Sequence, residues 1–183
     1  QAECAPKAGD VAPEFELEDS EGHRVSSRTL IAHGPLVVSF YRGVWCPYCN
    51  LELQALEAVQ PEIVARGASL VAISPQTQAN GRKSRRDNTL SFPILSDAGS
   101  KVAEAFSIKF ALNDDLIELY KAFGNDLPRI NDDPAWVLPM PARYVIDRQG
   151  RIVYADINPD YTRRPDPSEL LPVLDTLRAR SAA

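Results

Sequence analysis

The residues best suited to chemistry form one short motif, which reads Trp45, Cys46, Pro47, Tyr48 and Cys49. An apolar run over residues 36–41 precedes it and is typical of a buried strand, while residues 52–64 carry apolar side chains at helical spacing. A helix N-terminus supplies unpaired N–H groups and a partial positive charge, which favour the reactive thiolate form of cysteine. Pro47 suits this first turn, because its missing N–H would have no partner there. The pattern predicts a redox-active dithiol.

Paired cysteines can also bind zinc or form a structural disulfide, and each alternative requires different features elsewhere in the chain. A zinc site needs about four ligands, and the further candidates Cys4, His23 and His33 do not form a second paired motif. No metal or organic cofactor is therefore expected. A structural disulfide and two inert thiols remain alternative interpretations, although a chain of this size can build a core without a disulfide that closes so short a loop. Cys4 is expected in a flexible tail as an incidental thiol, with a role as a resolving or intermolecular partner as the alternative.

The composition is that of an ordinary globular chain. The 183 residues are 44% hydrophobic and 25% charged, which predicts one domain over residues 1–183 with a sizeable core. The net charge of −5 argues against nucleic-acid binding, which usually requires a basic face. No apolar run reaches membrane-spanning length, so no membrane segment is expected. A cytoplasmic protein is expected, and a periplasmic or secreted one stays open because the chain begins at Gln1 rather than Met.

Hydrophobic periodicity and turn residues predict strands and helices in alternation around the dithiol. Strands over residues 36–41 and 69–74 flank the dithiol helix and form a parallel unit. Pro93 marks residues 92–95 as an edge segment, since proline cannot donate to a ladder. The other predicted elements are a hairpin over residues 15–25, helices over 78–90 and 99–106, an irregular insertion over 109–139 with a helical middle, a hairpin over 143–157 and a closing helix over 168–178. This order predicts a thioredoxin-like α/β fold, a central mixed sheet flanked by helices, with an N-terminal hairpin extension and an insertion before the last β-hairpin.

Several stretches carry a family resemblance through their order and spacing. They are residues 9–17 with Asp19 and Gly22, Phe40 and Tyr41 leading to Cys46 and Pro47, residues 92–97 followed by 102–106, and residues 144–147 with Gly150. Together they resemble the peroxiredoxins, the thioredoxin-fold peroxidases related to alkyl hydroperoxide reductase. The resemblance covers nearly the whole chain, and it implies that Cys46 is the cysteine that attacks peroxide.

Two positions depart from the peroxiredoxin pattern. In that family a Thr or Ser stands three residues before the attacking cysteine, where this chain has Gly43. An arginine stands near the active site of the family at the position of Pro141, which instead resembles the cis-proline that faces the dithiol in thioredoxins. Arg143 shares a strand face with that position, and Arg42 lies four residues before Cys46. Either arginine could hold the thiolate charged and stabilise the leaving oxygen.

The spacer of two residues and the preceding Trp45 are similar to the thioredoxin motif. Trp45 and Tyr48 are accordingly expected to line a substrate cleft. The buried acid that thioredoxins keep below the dithiol has no counterpart, because Ser39 and Phe40 occupy that region. The sequence thus combines a peroxiredoxin-like body with a thioredoxin-like dithiol.

The resemblance implies a thiol peroxidase for hydrogen peroxide or alkyl hydroperoxides. Cys46 would form a sulfenic acid, Cys49 would condense with it to a disulfide, and a thioredoxin or glutathione-type reductant would restore the dithiol. A homodimer is left open. Two other functions also stay open, and different features favour them. The missing Thr or Ser favours a protein dithiol–disulfide oxidoreductase, and the long insertion favours a redox-sensing or binding module that switches without turnover.

Overall fold

The computed structural model describes residues 2–181, which form nine strands and seven α-helices. The strands are β1 (Glu16–Asp19), β2 (Arg24–Ser26), β3 (Leu36–Phe40), β4 (Ser69–Ser74), β5 (Ile94–Ser96), β6 (Lys109–Ala111), β7 (Val137–Pro139), β8 (Ala142–Ile146) and β9 (Ile152–Ile157). The helices are α1 (Ser27–His33), α2 (Pro47–Ala65), α3 (Gln78–Asp87), α4 (Lys101–Ala105), α5 (Asp114–Ala122), α6 (Leu127–Asn131) and α7 (Leu170–Ser181). Seven strands form one mixed sheet in the order β2-β1-β5-β4-β3-β8-β9, and β6 pairs with β7 separately. Within this range no helix is both long and apolar enough to cross a membrane.

The middle of the sheet is covered on both faces. β3 runs parallel to β4 and antiparallel to β8, and all of its residues are buried. Leu36, Val38 and Phe40 pack into the core on one face. Val37 and Tyr41 pack into a second core that includes side chains of α2 and α7. The alternation follows from the period of two along a strand, and a continuous apolar run is what a strand with two covered faces requires.

α2 is the element that carries the dithiol. Cys46 is its N-cap and Pro47 is its first residue, as the sequence predicts. Leu53, Leu56 and Ile63 are fully buried in the core beneath the helix. Each such side chain contributes roughly 1.5–3 kcal/mol of transfer free energy. The helix N-terminus is therefore held firmly at the end of β3.

The position of β5 corrects the sequence analysis. Pro93 predicts an edge segment, but β5 lies inside the sheet, between β4 and β1. Pro93 stands just before β5, and its carbonyl accepts a hydrogen bond from the backbone N–H of Ala72 at 3.1 Å. Its missing N–H therefore falls outside the ladder. The N-terminal hairpin, β1 and β2, covers the other side of β5. The short helix α1 between this hairpin and β3 was not predicted.

The insertion over residues 109–139 is more regular than the sequence predicts. β6 and β7 pair antiparallel at its two ends, α5 confirms the helical middle, and α6 follows. Leu112, Leu127 and Leu138 form a small separate core. Trp45, from the dithiol motif, packs against this core. The insertion is thus anchored beside the dithiol.

Candidate active site

Cys46 lies at the junction between the loop that follows β3 and the first turn of α2. Its side chain is fully buried. Its Sγ accepts hydrogen bonds from Arg42 Nη2 at 3.0 Å and from the backbone N–H of Cys49 at 3.3 Å. A guanidinium and a helix N-terminus therefore converge on one sulfur, and both lower the pKa of a thiol.

The two thiols of the motif differ in pKa although both are fully buried. The pKa of Cys46 is lowered to about 6, first by the hydrogen bond that Cys49 donates and further by the charge and hydrogen bond of Arg42, against the opposing effect of burial. Burial, together with the neighbouring Cys46 sulfur, raises the pKa of Cys49. At neutral pH the pair therefore holds one thiolate, centred on Cys46, and one proton, held by Cys49.

Arg42 is fixed by three aromatic side chains. Its Nη1 donates to the hydroxyl of Tyr120 at 2.9 Å. Its Cζ lies 3.6 Å from the ring centroid of Tyr161 and 5.0 Å from that of Trp45. Cation–π contacts stabilise a guanidinium that has lost water, and Arg42 is only 5% exposed. These contacts keep the cation against Cys46 rather than in solvent.

A polar network fixes the loop between β3 and α2. The backbone N–H of Val44 donates to Gln76 Oε1 at 2.9 Å, and Asn50 Nδ2 donates to the Val44 carbonyl at 2.8 Å. Gln76 in turn donates to the Tyr41 hydroxyl at 2.7 Å and to Ser84 Oγ at 3.0 Å. Buried networks of this kind, with partners for their polar groups, rigidify their surroundings. The loop that presents the dithiol is therefore a fixed platform.

Gly43 occupies the position at which peroxiredoxins have a Thr or Ser, and the structure supplies a physical reason for glycine. A Cβ atom at this position would lie 2.5 Å from Nε1 of Trp45. The φ of Gly43 is +155°, in a range that side chains rarely adopt. A hydroxyl side chain does not fit here unless Trp45 moves. The donors to the sulfur are instead Arg42 and the Cys49 backbone.

Arg143, the other arginine that the sequence suggests for Cys46, is engaged elsewhere. It is buried on β8, where it forms an ion pair with Glu52 and donates to the Pro165 carbonyl at 3.1 Å. Glu52 is buried three residues after Cys49 on α2. A buried acid therefore does lie one turn from the dithiol, contrary to the sequence analysis, and Arg143 balances its charge. Residues three apart share a helix face, so the burial of Glu52 was open to prediction.

Pro141 does not form the cis bond that its resemblance to the thioredoxin proline predicts. No peptide bond within residues 2–181 is cis. Pro141 lies between β7, which ends at Pro139, and β8, which begins at Ala142. A trans bond keeps the chain extended across this junction, and trans is the intrinsic preference of X–Pro bonds. The Pro141 carbonyl accepts a hydrogen bond from the backbone N–H of Asn158 at 3.3 Å.

Three side chains of the site come from segments that the sequence analysis did not connect with it. Tyr120 belongs to α5, while Tyr161 and Arg164 belong to residues 158–166, the segment between β9 and the last helix, called here the 158–166 loop. Arg164 Nη2 lies 3.8 Å from Sγ of Cys49, although 115 positions separate the two residues. Contacts made by tertiary packing leave no spacing pattern in the sequence, so no local signal identifies them.

A largely apolar cavity of about 540 Å³ lies next to Arg42. Its lining residues are Arg42, Trp45, Pro47, Tyr48, Phe110, Leu112, Leu116, Leu119, Tyr120, Phe123, Asn125, Pro159 and Tyr161. Tyr48 is 45% exposed and Phe123 is 72% exposed, so the cavity is open to solvent. Arg42 connects it to the Cys46 sulfur. Among the described residues, no three His, Cys, Asp or Glu side chains are grouped as a metal site requires.

Several proteins of known sequence are similar to this chain. The AhpC/TSA family model matches residues 8–155. A putative peroxiredoxin of Mycobacterium tuberculosis is 32% identical over 106 residues, which are 58% of this chain and 69% of that protein. The putative peroxiredoxin bcp of Helicobacter pylori is 30% identical over 118 residues, 64% of this chain and 68% of that protein. The thiol-disulfide oxidoreductase ResA of Halalkalibacterium halodurans is 31% identical over 104 residues, 56% of this chain and 58% of that protein.

Solved structures share the fold. Peroxidoxin BcpB from Mycobacterium tuberculosis superposes with a TM-score of 0.73 at 24% identity, covering 95% of this chain and 97% of that one. A cysteine-to-serine mutant of peroxiredoxin 6 from Arenicola marina superposes with a TM-score of 0.75 at 18% identity, covering 95% of this chain and 74% of that one. These likenesses confirm the thioredoxin-like fold. Because the family model covers most of its length and its sequence relatives include peroxiredoxins, the chain belongs to the AhpC/TSA family of peroxiredoxin-like thiol oxidoreductases.

Proposed function

We propose that this protein is a thiol peroxidase in which Cys46 attacks the peroxide and Cys49 resolves the product. The observation that carries the proposal is the 3.0 Å contact between Arg42 Nη2 and Cys46 Sγ. With a pKa of about 6, the sulfur is mostly thiolate at neutral pH, and the thiolate is the nucleophilic form. The same guanidinium lies beside the place where the leaving oxygen develops charge.

In the first step, the Cys46 thiolate attacks the terminal oxygen of the hydroperoxide. The S–O bond forms as the O–O bond breaks, which gives a sulfenic acid and a hydroxide or alkoxide. The leaving oxygen takes a proton from solvent and departs as water or an alcohol. Negative charge moves from sulfur to this oxygen in the transition state, where a preorganised donor stabilises it. Arg42 needs no reorganisation, because Tyr120 and Tyr161 already hold it.

In the second step, Cys49 loses its proton and its thiolate attacks the Cys46 sulfur. The S–S bond forms as the S–OH bond breaks, and the departing hydroxide takes up a proton to become water. The backbone N–H of Cys49 already contacts Cys46 Sγ at 3.3 Å, so the sulfurs can meet by local adjustment of one helical turn. An external thiol reductant of the thioredoxin or glutathione type then supplies two electrons and restores the dithiol.

Two exposed apolar side chains beside the dithiol suit the docking of a protein reductant. Tyr48 is 45% exposed and Leu51 is 63% exposed, and both flank Cys49 in the first turns of α2. Aromatic and aliphatic side chains of this kind anchor protein contacts. The proposed reductant therefore approaches over the N-terminal turns of α2.

The cavity beside Arg42 favours organic hydroperoxides as substrates in addition to hydrogen peroxide. Its volume of about 540 Å³ lies in the range of small-molecule sites. Its walls include Leu116 and Leu119 of α5, which have 39% and 47% of their surface exposed. Burying a methylene group contributes roughly 0.8 kcal/mol. The carbon skeleton of an alkyl or aryl hydroperoxide would gain this contribution, whereas hydrogen peroxide would not.

Stopped-flow fluorescence of the reduced protein tests both parts of the proposal, because Trp45 adjoins the reacting sulfur. Mixing with hydrogen peroxide or cumene hydroperoxide should give a fast phase that Cys46→Ser abolishes. The double variant Leu116→Ser/Leu119→Ser should lower kcat/KM for cumene hydroperoxide about tenfold, a loss of about 1.4 kcal/mol, and leave hydrogen peroxide unaffected. Val64→Ser, which changes an exposed apolar residue of α2 outside the cavity, is the matched control. An unchanged ratio between the two substrates would contradict the role of the cavity.

A protein dithiol–disulfide oxidoreductase is the second candidate. It is favoured by the similarity to a protein named thiol-disulfide oxidoreductase ResA and by the exposed Tyr48 between the cysteines. Reduction of insulin disulfides by the reduced protein, faster than its consumption of peroxide, would support this activity. A chain that titrates as a clean dithiol and shows neither activity would be a redox-sensing module instead.

A further inference from the structure

A second arginine contacts the second sulfur of the dithiol. Arg164 Nη2 lies 3.8 Å from Cys49 Sγ, and Arg164 Nε donates to the Tyr161 carbonyl at 3.3 Å. Tyr161 also places its ring 3.6 Å from Cζ of Arg42. The 158–166 loop therefore positions an arginine beside each sulfur, since it fixes Arg42 beside Cys46 and brings Arg164 to Cys49.

We propose that Arg164 is a catalytic residue of the resolving step, in which it stabilises the Cys49 thiolate after Cys46 has been oxidised. The proposal rests on the peroxidase function proposed above. In the reduced protein, Cys46 carries the negative charge and Cys49 donates its proton to it. Oxidation turns the Cys46 thiolate into a neutral sulfenic acid, so the repulsion between the two sulfurs disappears, while burial still favours the protonated form of Cys49. The positive charge of Arg164 remains and then favours release of the Cys49 proton.

The chemistry of this step balances without any further reactant. The Cys49 thiolate attacks Sγ of Cys46, the S–S bond forms, and the S–OH bond breaks. The hydroxide that leaves combines with the proton that Cys49 released, which gives water. Arg164 makes no contact with Cys46 Sγ among the hydrogen bonds of the described residues, so its removal should leave the first step, the attack on peroxide, intact.

Other charged and titratable groups face Cys49, and each has a different role. Burial and Cys46 raise the pKa of Cys49, while a backbone hydrogen bond from Arg42 and the charge of Arg164 lower it. The guanidinium of Arg42 acts on both sulfurs through its charge and donates its side-chain hydrogen bond to Cys46. Burial raises the pKa of Tyr41 far above neutral, so this phenol stays uncharged. Arg164 also lowers the pKa of the Asp156 carboxyl, which burial raises, so part of its field acts on that neighbour.

The size of the effect follows from the distance between cation and sulfur. A cation within about 4–6 Å lowers the pKa of an acidic group by roughly 1–3. Arg164→Met therefore raises the pKa of Cys49 and reduces the fraction of this thiol that is ionised at neutral pH. The thiolate that remains is more nucleophilic, with a Brønsted slope of about 0.4–0.5, so about half of the loss is recovered on a logarithmic scale. Disulfide formation should therefore become about tenfold slower.

The kinetic test uses rapid mixing of reduced protein with hydrogen peroxide, in which the fluorescence of Trp45 reports sulfenic acid formation and then disulfide closure. Arg164→Met should leave the first phase unchanged and slow the second about tenfold, and the pH midpoint of the second phase should rise. Arg164→Lys keeps the charge and should recover most of the rate. Arg163→Met is the matched control, because Arg163 is 81% exposed and pairs with Asp160. A second phase that is equally fast in Arg164→Met and Arg163→Met would overturn the proposal.

A titration that needs no peroxide tests the same contact independently. In Cys46→Ser, the neutral serine stands in for the neutral sulfenic acid, and the pKa of Cys49 can be followed by NMR of its Cβ carbon. Adding Arg164→Met should raise this pKa, because the positive charge beside Cys49 is removed, and equal values in the two proteins would overturn the proposal. If no protein reacts with peroxide, the proposed peroxidase function fails, while this titration still decides the role of Arg164.

Discussion

The substitution Arg42→Met tests the electrostatic basis of the site. It removes the hydrogen bond from Nη2 to Cys46 Sγ, 3.0 Å long, and the positive charge that accompanies it. Methionine keeps a long apolar side chain against the rings of Tyr161 and Trp45. The fold should therefore survive, and the consequences should be confined to the reactivity of Cys46.

The expected magnitude has two parts. A hydrogen bond to a charged group contributes about 1.5–3 kcal/mol, so at 1.36 kcal/mol for each pKa unit the pKa of Cys46 should rise by about 1–2. Starting from a pKa of about 6, the thiolate fraction at pH 7 falls from about 90% to roughly 10–50%. The loss of a donor to the leaving oxygen costs a further factor of about 10²–10³. The reaction with hydrogen peroxide should therefore slow by at least about 10².

The assay separates these parts by pH. The thiolate loss should disappear at about pH 9, where Cys46 is ionised in both proteins, whereas the loss of the donor should persist. Stopped-flow rates between pH 5 and pH 9 measure both, with Arg42→Lys as the variant that keeps the charge and Arg163→Met as the control for removal of a surface arginine. The assignment of Arg42 would be refuted if Arg42→Met reacted within about twofold of the parent rate and its pH midpoint lay within about 0.3 pH units of the parent value.

Three further predictions follow from the site. Cys46→Ser should abolish the reaction with peroxide, whereas Cys49→Ser should consume one equivalent and stop as a sulfenic acid or over-oxidised product visible by mass spectrometry. Gly43→Thr should slow the reaction at least about tenfold rather than add a useful hydroxyl, because its Cβ would meet Trp45 Nε1 at 2.5 Å; stopped-flow rates check this. The free energy of unfolding of the reduced protein should rise between about pH 6 and pH 8.5 in urea titrations, because the Cys46 pKa is about 6 when folded and near 8.5 when unfolded. This stabilisation is complete above the unfolded pKa and is lost as the pH falls through the folded pKa.

Each of these predictions has an outcome that contradicts it. Peroxide consumption by Cys46→Ser at the parent rate would remove Cys46 from its assigned role. A Gly43→Thr protein that reacts faster than its parent would mean that Trp45 can yield to the new side chain. For the pH dependence, Cys46→Ser is the control, and it should flatten the curve between pH 6 and pH 8.5; the same slope in both proteins would show that other groups cause it.

The dithiol and the elements that carry it follow from local patterns in the sequence. The apolar run over residues 36–41 and the helical periodicity after it are local patterns, and each forms the strand or helix that its period predicts. Pro47 at the first helical position is likewise a local preference. The lower pKa of Cys46 and the higher pKa of Cys49 follow from their order along that helix, since Cys46 lies at the N-terminus and Cys49 lies one turn inside.

Which arginine contacts which sulfur depends on tertiary packing. Arg42 and Arg143 were equal candidates in the sequence, but Arg143 pairs with buried Glu52, because an unpaired buried charge is costly and the ion pair offsets part of that cost. The position of β5 inside the sheet was decided by the N-terminal hairpin, which arrives from distant sequence. Tyr161 and Arg164 reach the dithiol across more than a hundred residues. Such contacts depend on how whole elements pack, and packing of distant segments leaves no periodicity along the chain.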